Sequence, residues 1–220
     1  AIGQAVRNSN DGISIINTAE GALSQQASML TRMRELAAQA STGSVGSTER
    51  QTIQREFAAL RDEIDRITTV TEFNGQKLVD GSLSSSISAT NQIVIQIGFK
   101  STSNDRINLN TTIDLTSMDS TGLAIQNLSV TAAAQALTAL SSIGSAISKV
   151  TDARGRLGAV QNRFTYTIAN LQTSSENLQA AESQIREADY ASEISTFTRN
   201  QILVQASTAI LAQANLVPQT

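Results

Sequence analysis

IGSAISKVTDARGRLGAVQNRFTYTIANLQTSSENLQAAESQI, residues 143–185, is the stretch that decides the fold. Every seventh position in it is large and apolar: Ile143, Val150, Leu157, Phe164, Leu171, Leu178 and Ile185. Seven residues make two turns of α-helix, so these side chains line one stripe. Leu140, Ile147, Val160 and Ile168 widen the stripe, and no proline interrupts it. A helix over about 133–188 would be roughly 80 Å long. A rod of that kind needs partners along its length, because helices in proteins draw most of their stability from tertiary packing. Gly144, Gly155 and Gly158 each cost about 1 kcal/mol relative to alanine in a helix. Close packing against another helix is the expected reason for them.

Two partners precede the rod. From Asp11 to Ala40, one seven-spaced stripe holds Ile16, Leu23, Leu30 and Ala37, and its neighbour holds Ile15, Ala22, Met29 and Leu36. Two adjacent stripes predict contact with more than one helix. Ser41-Thr42-Gly43-Ser44-Val45-Gly46 reads as a turn. Thr48 and Gln51 have the spacing of a capping box and are expected to open a second helix over 48–70. Ile53, Phe57, Leu60, Ile64 and Ile67 alternate steps of four and three along it.

The period changes over about 71–117. Asn74-Gly75 is the pair favoured in two-residue hairpins, where both central residues need positive φ. Ile93, Ile95 and Ile97 alternate with Gln92 and Gln96, and Ile107 and Leu109 with Asn108 and Asn110, which predicts short half-buried strands. Gly81-Ser82-Leu83-Ser84-Ser85-Ser86 is expected to be a flexible linker or a surface loop. A polar run, Arg186-Glu187-Ala188-Asp189-Tyr190, is expected to break the rod. Beyond it a second apolar series runs through Ile194, Phe197, Val204 and Leu211, with Leu203, Ile210 and Val217 beside it. A helix this apolar over 192–220 needs cover from a preceding segment or another subunit.

Composition narrows the function. The chain has no His and no Cys, which removes Ser–His and Cys–His nucleophiles, thiolate metal sites and disulfides. No phosphate-cradling glycine motif is present, and no cofactor is expected. Asp62, Glu63 and Asp65 within one turn read as a solvated helix face. A net charge of −3 without a basic run does not suggest nucleic acid, and no such partner is expected. No apolar stretch reaches the ~20 residues of a membrane span. Aromatics are only 3%, which suits thin helix-on-helix seams better than a thick core. The chain opens on Ala1 with helical patterning under way within a dozen residues, so it is expected to be trimmed at its N-terminus. The function expected is self-assembly, not catalysis.

Thr31-Arg32-Met33-Arg34-Glu35-Leu36 offers two readings. One is a hydrated amphipathic helix. The other is a recognition patch, with arginine as a forked donor beside an apolar anchor. Pattern alone favours the hydrated helix.

Several runs are similar to those of bacterial flagellin. At the front stand Asn10-Asp11-Gly12-Ile13-Ser14, Thr18-Ala19-Glu20-Gly21-Ala22-Leu23 and Arg32-Met33-Arg34-Glu35-Leu36-Ala37-Ala38-Gln39. Glu63-Ile64-Asp65-Arg66 and Phe73-Asn74-Gly75 follow. At the back stand Arg154-Gly155-Arg156-Leu157-Gly158-Ala159-Val160-Gln161-Asn162-Arg163, Ala188-Asp189-Tyr190-Ala191, Gln201-Ile202-Leu203 and Leu211-Ala212-Gln213-Ala214-Asn215. The matches cover about 1–80 and 140–220, in the family's order.

The resemblance implies a mostly α fold: a long antiparallel helical rod or coiled-coil bundle with a small β-hairpin region. It places a rod domain at 1–188 and part of an inner-domain helix at 192–220, with the N-terminal partner helix and the extreme C-terminus absent. A fragment so trimmed is expected to be soluble and impaired in polymerisation. The section 81–130 is too short for large outer domains. The implied function is a secreted, extracellular subunit of the flagellar filament. Implied partners are its own copies, an export chaperone at the C-terminal helix, the filament cap and hook-junction proteins, and Toll-like receptor 5. Family hot spots for that receptor map onto Arg32, Leu36 and Glu56, with Thr31 and Glu35 beside them, which shifts the balance to a recognition patch. The same surface is expected to pack between protofilaments. Leu60 departs from the basic residue of some strongly activating flagellins. Phe197, Leu203, Val204, Ile210 and Leu211 are the expected assembly tail. A hook–filament junction protein shares the implied fold and stays open as an alternative. A coiled-coil signalling rod fits less well, because the strand block interrupts the helices.

Overall fold

The computed structural model describes residues 1–98 and 100–216. Its elements are α1 (Ile2–Ser41), α2 (Ser47–Val70), β1 (Glu72–Phe73), β2 (Gln76–Lys77), β3 (Val94–Gln96), β4 (Arg106–Asn108), α3 (Leu109–Ile113) and α4 (Ala133–Leu216). The chain divides into two compact units, Ala1–Leu171 and Gln172 onward. α4 supplies helix to both.

In the first unit α1 runs antiparallel to both α2 and α4. Arg32 meets Glu56 and Gln26 meets Thr68 across the α1–α2 seam. Glu20 meets Arg154 and Asn17 meets Gln161 across the α1–α4 seam. The core is the apolar stripes facing one another: Ile16, Leu23, Leu30 and Met33 of α1, Ile53, Phe57 and Ile64 of α2, and Ile143, Val150, Leu157 and Phe164 of α4, all buried. Each such side chain contributes about 1.5–3 kcal/mol by leaving water. Alanines (Ala19, Ala37, Ala139, Ala146, Ala153) fill the remaining seam positions and keep it thin.

A strap over 114–132 covers the groove that the helices leave. Leu115, Met118, Leu123, Ile125 and Val130 are buried in it. Polar groups on the helices pin its backbone. The Asp65 carboxylate accepts from Ser120 N at 2.6 Å and Ser120 Oγ at 2.8 Å. Gln54 Oε1 accepts from Val130 N at 2.7 Å, and Lys149 Nζ donates to the Gly122 carbonyl at 3.0 Å.

The β region follows the period-two pattern. β1 and β2 pair through Glu72↔Lys77 and Phe73↔Gln76, around Asn74 (φ 49°) and Gly75 (φ 78°). Both tip residues have the positive φ that the Asn-Gly pair predicts. β3 and β4 are antiparallel with Ile95 opposite Ile107. Leu109 opens α3 instead of extending β4.

Several expectations need correction. α1 starts at Ile2, well before Asp11. The Thr48–Gln51 capping box does not form: Gly46 is the N-cap of α2, with no side-chain cap, and Glu49 brings its carboxylate back over it. A negative charge there suits the positive end of the helix dipole. Of the two readings of Gly81–Ser86 the loop stands and the flexible linker does not, for Leu83 is fully buried and Asn110 Nδ2 donates to the carbonyls of Ser82 and Ser84. The polar run at 186–190 does not break α4, which continues to Leu216. No Gly or Pro stands between Gly158 and Pro218, so nothing there forces a stop. The heptad ladder is buried only as far as Leu171; Leu178 and Ile185 are exposed. Gly144, Gly155 and Gly158 do not pack against another helix, for a Cβ on any of them would meet nothing within 4 Å.

Candidate functional site

The candidate carboxylates and the two candidate surfaces lie apart from one another in sequence. Among the described residues no group of His, Cys, Asp and Glu is placed to hold a metal ion. Each of the three carboxylates within one turn of α2 has its own partner: Asp62 pairs with Arg61, Glu63 with Arg66, and Asp65 with Ser120. The face expected to be merely solvated is therefore partly used in tying down the strap. Arg66 holds the Glu63 carboxyl below its ordinary range through their hydrogen bonds. No helix among the described residues is long and apolar enough to cross a membrane.

Two surfaces remain. The first lies across α1 and α2, which bring together residues 24 positions apart in sequence. Arg32 Nε donates to Glu56 Oε1 at 2.8 Å, and Arg32 Nη1 donates to Glu35 Oε2 at 3.0 Å. The guanidinium pKa is raised, first by the hydrogen bond to Glu56 and then by that to Glu35. The three side chains stay open to solvent, at 51%, 60% and 48% exposure for Arg32, Glu35 and Glu56. Neighbouring Thr31 is exposed, with its hydroxyl turned back to the Ala27 carbonyl at 2.9 Å. Leu36 is different: it is 2% exposed and belongs to the core. It supports this patch from beneath and does not present an apolar anchor on it. The Arg32–Glu35 pair is legible from its i,i+3 spacing. The Arg32–Glu56 pair is not, because it depends on how the two helices meet.

The second surface is the helix of the second unit. Phe197, Leu203, Val204, Ile210 and Leu211 are all between 57% and 69% exposed. At about 100° per residue they form two stripes, one of Phe197, Val204 and Leu211 and the other of Leu203 and Ile210. Val217, expected to extend the latter, lies outside the described residues. Ile194, Arg199, Ile202 and Leu203 border a shallow groove on the same helix. These side chains offer area and shape, with no reactive group among them.

Comparison with known proteins places the chain as a whole. Residues 1–84 match the bacterial flagellin N-terminal helical region, and residues 140–220 match the bacterial flagellin C-terminal helical region. A flagellin of Bacillus subtilis is 44% identical over 242 residues, spanning 98% of this chain and 78% of that protein. The flagellar filament 30.7 kDa core protein of Treponema maltophilum is 38% identical over 220 residues, spanning 99% of this chain and 77% of that one. The crystal structure of Bacillus cereus flagellin superposes with a TM-score of 0.61 at 30% identity, over 80% of this chain and 94% of that one. With both terminal helical regions matched, in order, and the helical fold shared, the chain belongs to the bacterial flagellin family.

Proposed function

We propose that this chain is a structural subunit of the flagellar filament, secreted to the cell exterior and joined to its copies through the apolar stripes of its second unit. The carrying observation is the exposure of Phe197, Leu203, Val204, Ile210 and Leu211 together on one helix. Contiguous apolar surface of that kind marks an interaction site, and two stripes about 100° apart accommodate more than one neighbouring helix. The flagellin family is a structural one, and the absence of His and Cys from the chain accords with that. Before assembly the same helix needs cover, which is the place for an export chaperone. Filament cap and hook-junction proteins would meet it at the polymer's ends.

A second role attaches to Arg32, Glu35 and Glu56. Their exposure and shared hydrogen bonds make a preorganised charged patch on a rigid helix pair. This supports recognition by Toll-like receptor 5, with Leu36 as a supporting core residue. The assembly role is tested by growing polymer from seeds with the subunit and sedimenting the product. Val204→Asp with Leu211→Asp should keep the subunit in the supernatant. Wild-type polymer yield from that variant would overturn the role of the tail.

A further inference from the structure

We propose that Asn74 is a site of spontaneous backbone modification, in which its side chain closes onto the Gly75 nitrogen to give a succinimide that opens to aspartate or isoaspartate. Asn74-Gly75 is the single Asn-Gly pair in the chain. Ring closure needs a following residue that does not crowd the attacking nitrogen, a free carboxamide, and a backbone able to turn toward it. The hairpin tip supplies all three. Gly75 carries no side chain, and a Cβ there would meet nothing within 4 Å. Asn74 and Gly75 are exposed, and among the described residues no hydrogen bond holds the Asn74 carboxamide. Ring closure needs rotation about ψ and χ1 of Asn74, which a closed two-residue turn restricts. However, the β1–β2 ladder has only two residue pairs, with one further bond from Leu78 N to the Thr71 carbonyl at 3.3 Å. A hairpin that short is marginal by itself and opens locally at little cost.

No other asparagine is followed by glycine, Asn91 and Asn104 being followed by Gln92 and Asp105, and most are held or crowded as well. Asn8 Nδ2 donates to the Gln96 carbonyl at 3.0 Å, and Asn108 Nδ2 donates to Gln92 Oε1 at 2.6 Å. Asn110 is fully buried, with its carboxamide bonded to Ile93 N and to the carbonyls of Ser82 and Ser84. Asparagines inside α1 and α4 have helical backbone and a following N–H engaged in the helix ladder. Asn127 is exposed in the strap, but Leu128 follows it and its branched side chain crowds the nitrogen.

The chemistry needs only water. The Gly75 nitrogen, its proton lost to solvent base, bonds to Asn74 Cγ as the bond to the carboxamide nitrogen breaks. Ammonia leaves, taking a proton from water. Water then adds to one of the two imide carbonyls. Opening at the side-chain carbonyl restores an ordinary aspartate, and opening at the main-chain carbonyl leaves the chain routed through the side chain as isoaspartate. Nothing is oxidised or reduced. Aspartate tolerates the left-handed turn and adds a negative charge beside the Lys77–Glu72 pair. Isoaspartate lengthens the main chain by one bond, which the two-residue turn does not accommodate. The modified fraction therefore counts the time since the subunit was made.

The test is to age the folded chain in mildly alkaline buffer and label isoaspartate with a protein isoaspartyl methyltransferase and a radioactive methyl donor, followed by peptide mapping. Label should collect in the peptide containing residue 74 ahead of every other peptide. It should be lost in Asn74→Gln, whose longer side chain closes the ring far less readily. Label arriving first at another asparagine overturns the proposal. So does a folded chain that stays unlabelled at residue 74 while the urea-unfolded chain labels there, because the turn would then be a complete protection.

Discussion

The ring of Phe164 on α4 lies against Gly12 on α1 so closely that a Cβ on Gly12 would sit 2.7 Å from Cζ and 3.1 Å from each Cε. Both residues are buried, so neither has solvent into which to yield. Gly12→Ala gains roughly 1 kcal/mol of helix propensity but drives a methyl group into the ring, and overpacking of this kind costs about 1–3 kcal/mol. The expected result is no net gain, and up to about 2 kcal/mol of destabilisation, by urea titration. Gly12→Ala/Phe164→Leu should recover part of the loss. Stabilisation by the single change would mean the ring does not rest on Gly12.

Glycines that face outward should behave the opposite way. A Cβ at Gly21, Gly144, Gly155 or Gly158 meets nothing within 4 Å. Alanine at each should raise the stability of the isolated chain by about 0.5–1 kcal/mol. If alanine at these four positions instead lowers the urea midpoint, an intramolecular contact is present at them. If stability rises while polymer growth fails, the glycines serve contacts between subunits.

Arg32 and Leu36 stand one turn apart and should separate cleanly. Arg32→Ala removes an exposed side chain whose ion pairs are solvent-screened, so melting should barely change while signalling through Toll-like receptor 5 falls. Leu36→Ala empties a core position and should cost about 2–5 kcal/mol by denaturant titration. Any loss of signalling it causes should then track the loss of folded protein. Unchanged signalling by Arg32→Ala would remove the patch from consideration.

What was legible in the sequence is what depends on one element at a time. The Asn74-Gly75 turn, the strand character around Ile95 and around Ile107, and the buried run from Ile143 to Leu171 follow from local chemistry and periodicity. A periodic pattern does not say where its partner ends, which is why Leu178 and Ile185 carry the heptad yet stay exposed. Nor does it say which way a glycine or Leu36 faces, since both follow from the angle at which α1, α2 and α4 meet. The strap was illegible for a related reason. Met118, Leu123, Ile125 and Val130 have no regular spacing, and their burial comes from side chains such as Asp65 and Gln54 that hold the backbone from far away in sequence.

Asp114 gives the strap a pH dependence of known sign. Its carboxyl pKa is lowered, first by the backbone N–H of Ser85, which donates to Oδ1 at 2.8 Å, then by the Ser85 hydroxyl, with Arg156 adding a smaller push. The folded value lies below the unfolded one. The contribution is therefore complete above the ordinary carboxyl range and is lost as pH falls through the folded value. Asp114→Asn retains an acceptor and tolerates the φ of 47°, so it isolates the charge. The variant should melt below the natural chain at neutral pH, and the gap should close on acidification. A gap that stays constant from neutral to acid pH would show that charge plays no part in holding Ser85.

The two stripes of the second unit should fail separately. Phe197→Ser with Leu211→Ser removes one stripe, and Leu203→Ser with Ile210→Ser removes the other; all four residues are exposed. The buried core of the first unit ends at Leu171, so neither double variant should move its melting temperature. Each should abolish seeded polymer growth if the stripes meet different neighbours. Mixing each variant with the natural subunit extends the test, because a subunit intact in one stripe can bind a growing end yet leave the next subunit without a seat. Each variant should therefore act as a chain terminator and lower the sedimented yield of the natural subunit in proportion to its share of the mixture. A variant that leaves that yield unchanged is excluded from the growing end altogether, which would place both stripes in a single contact.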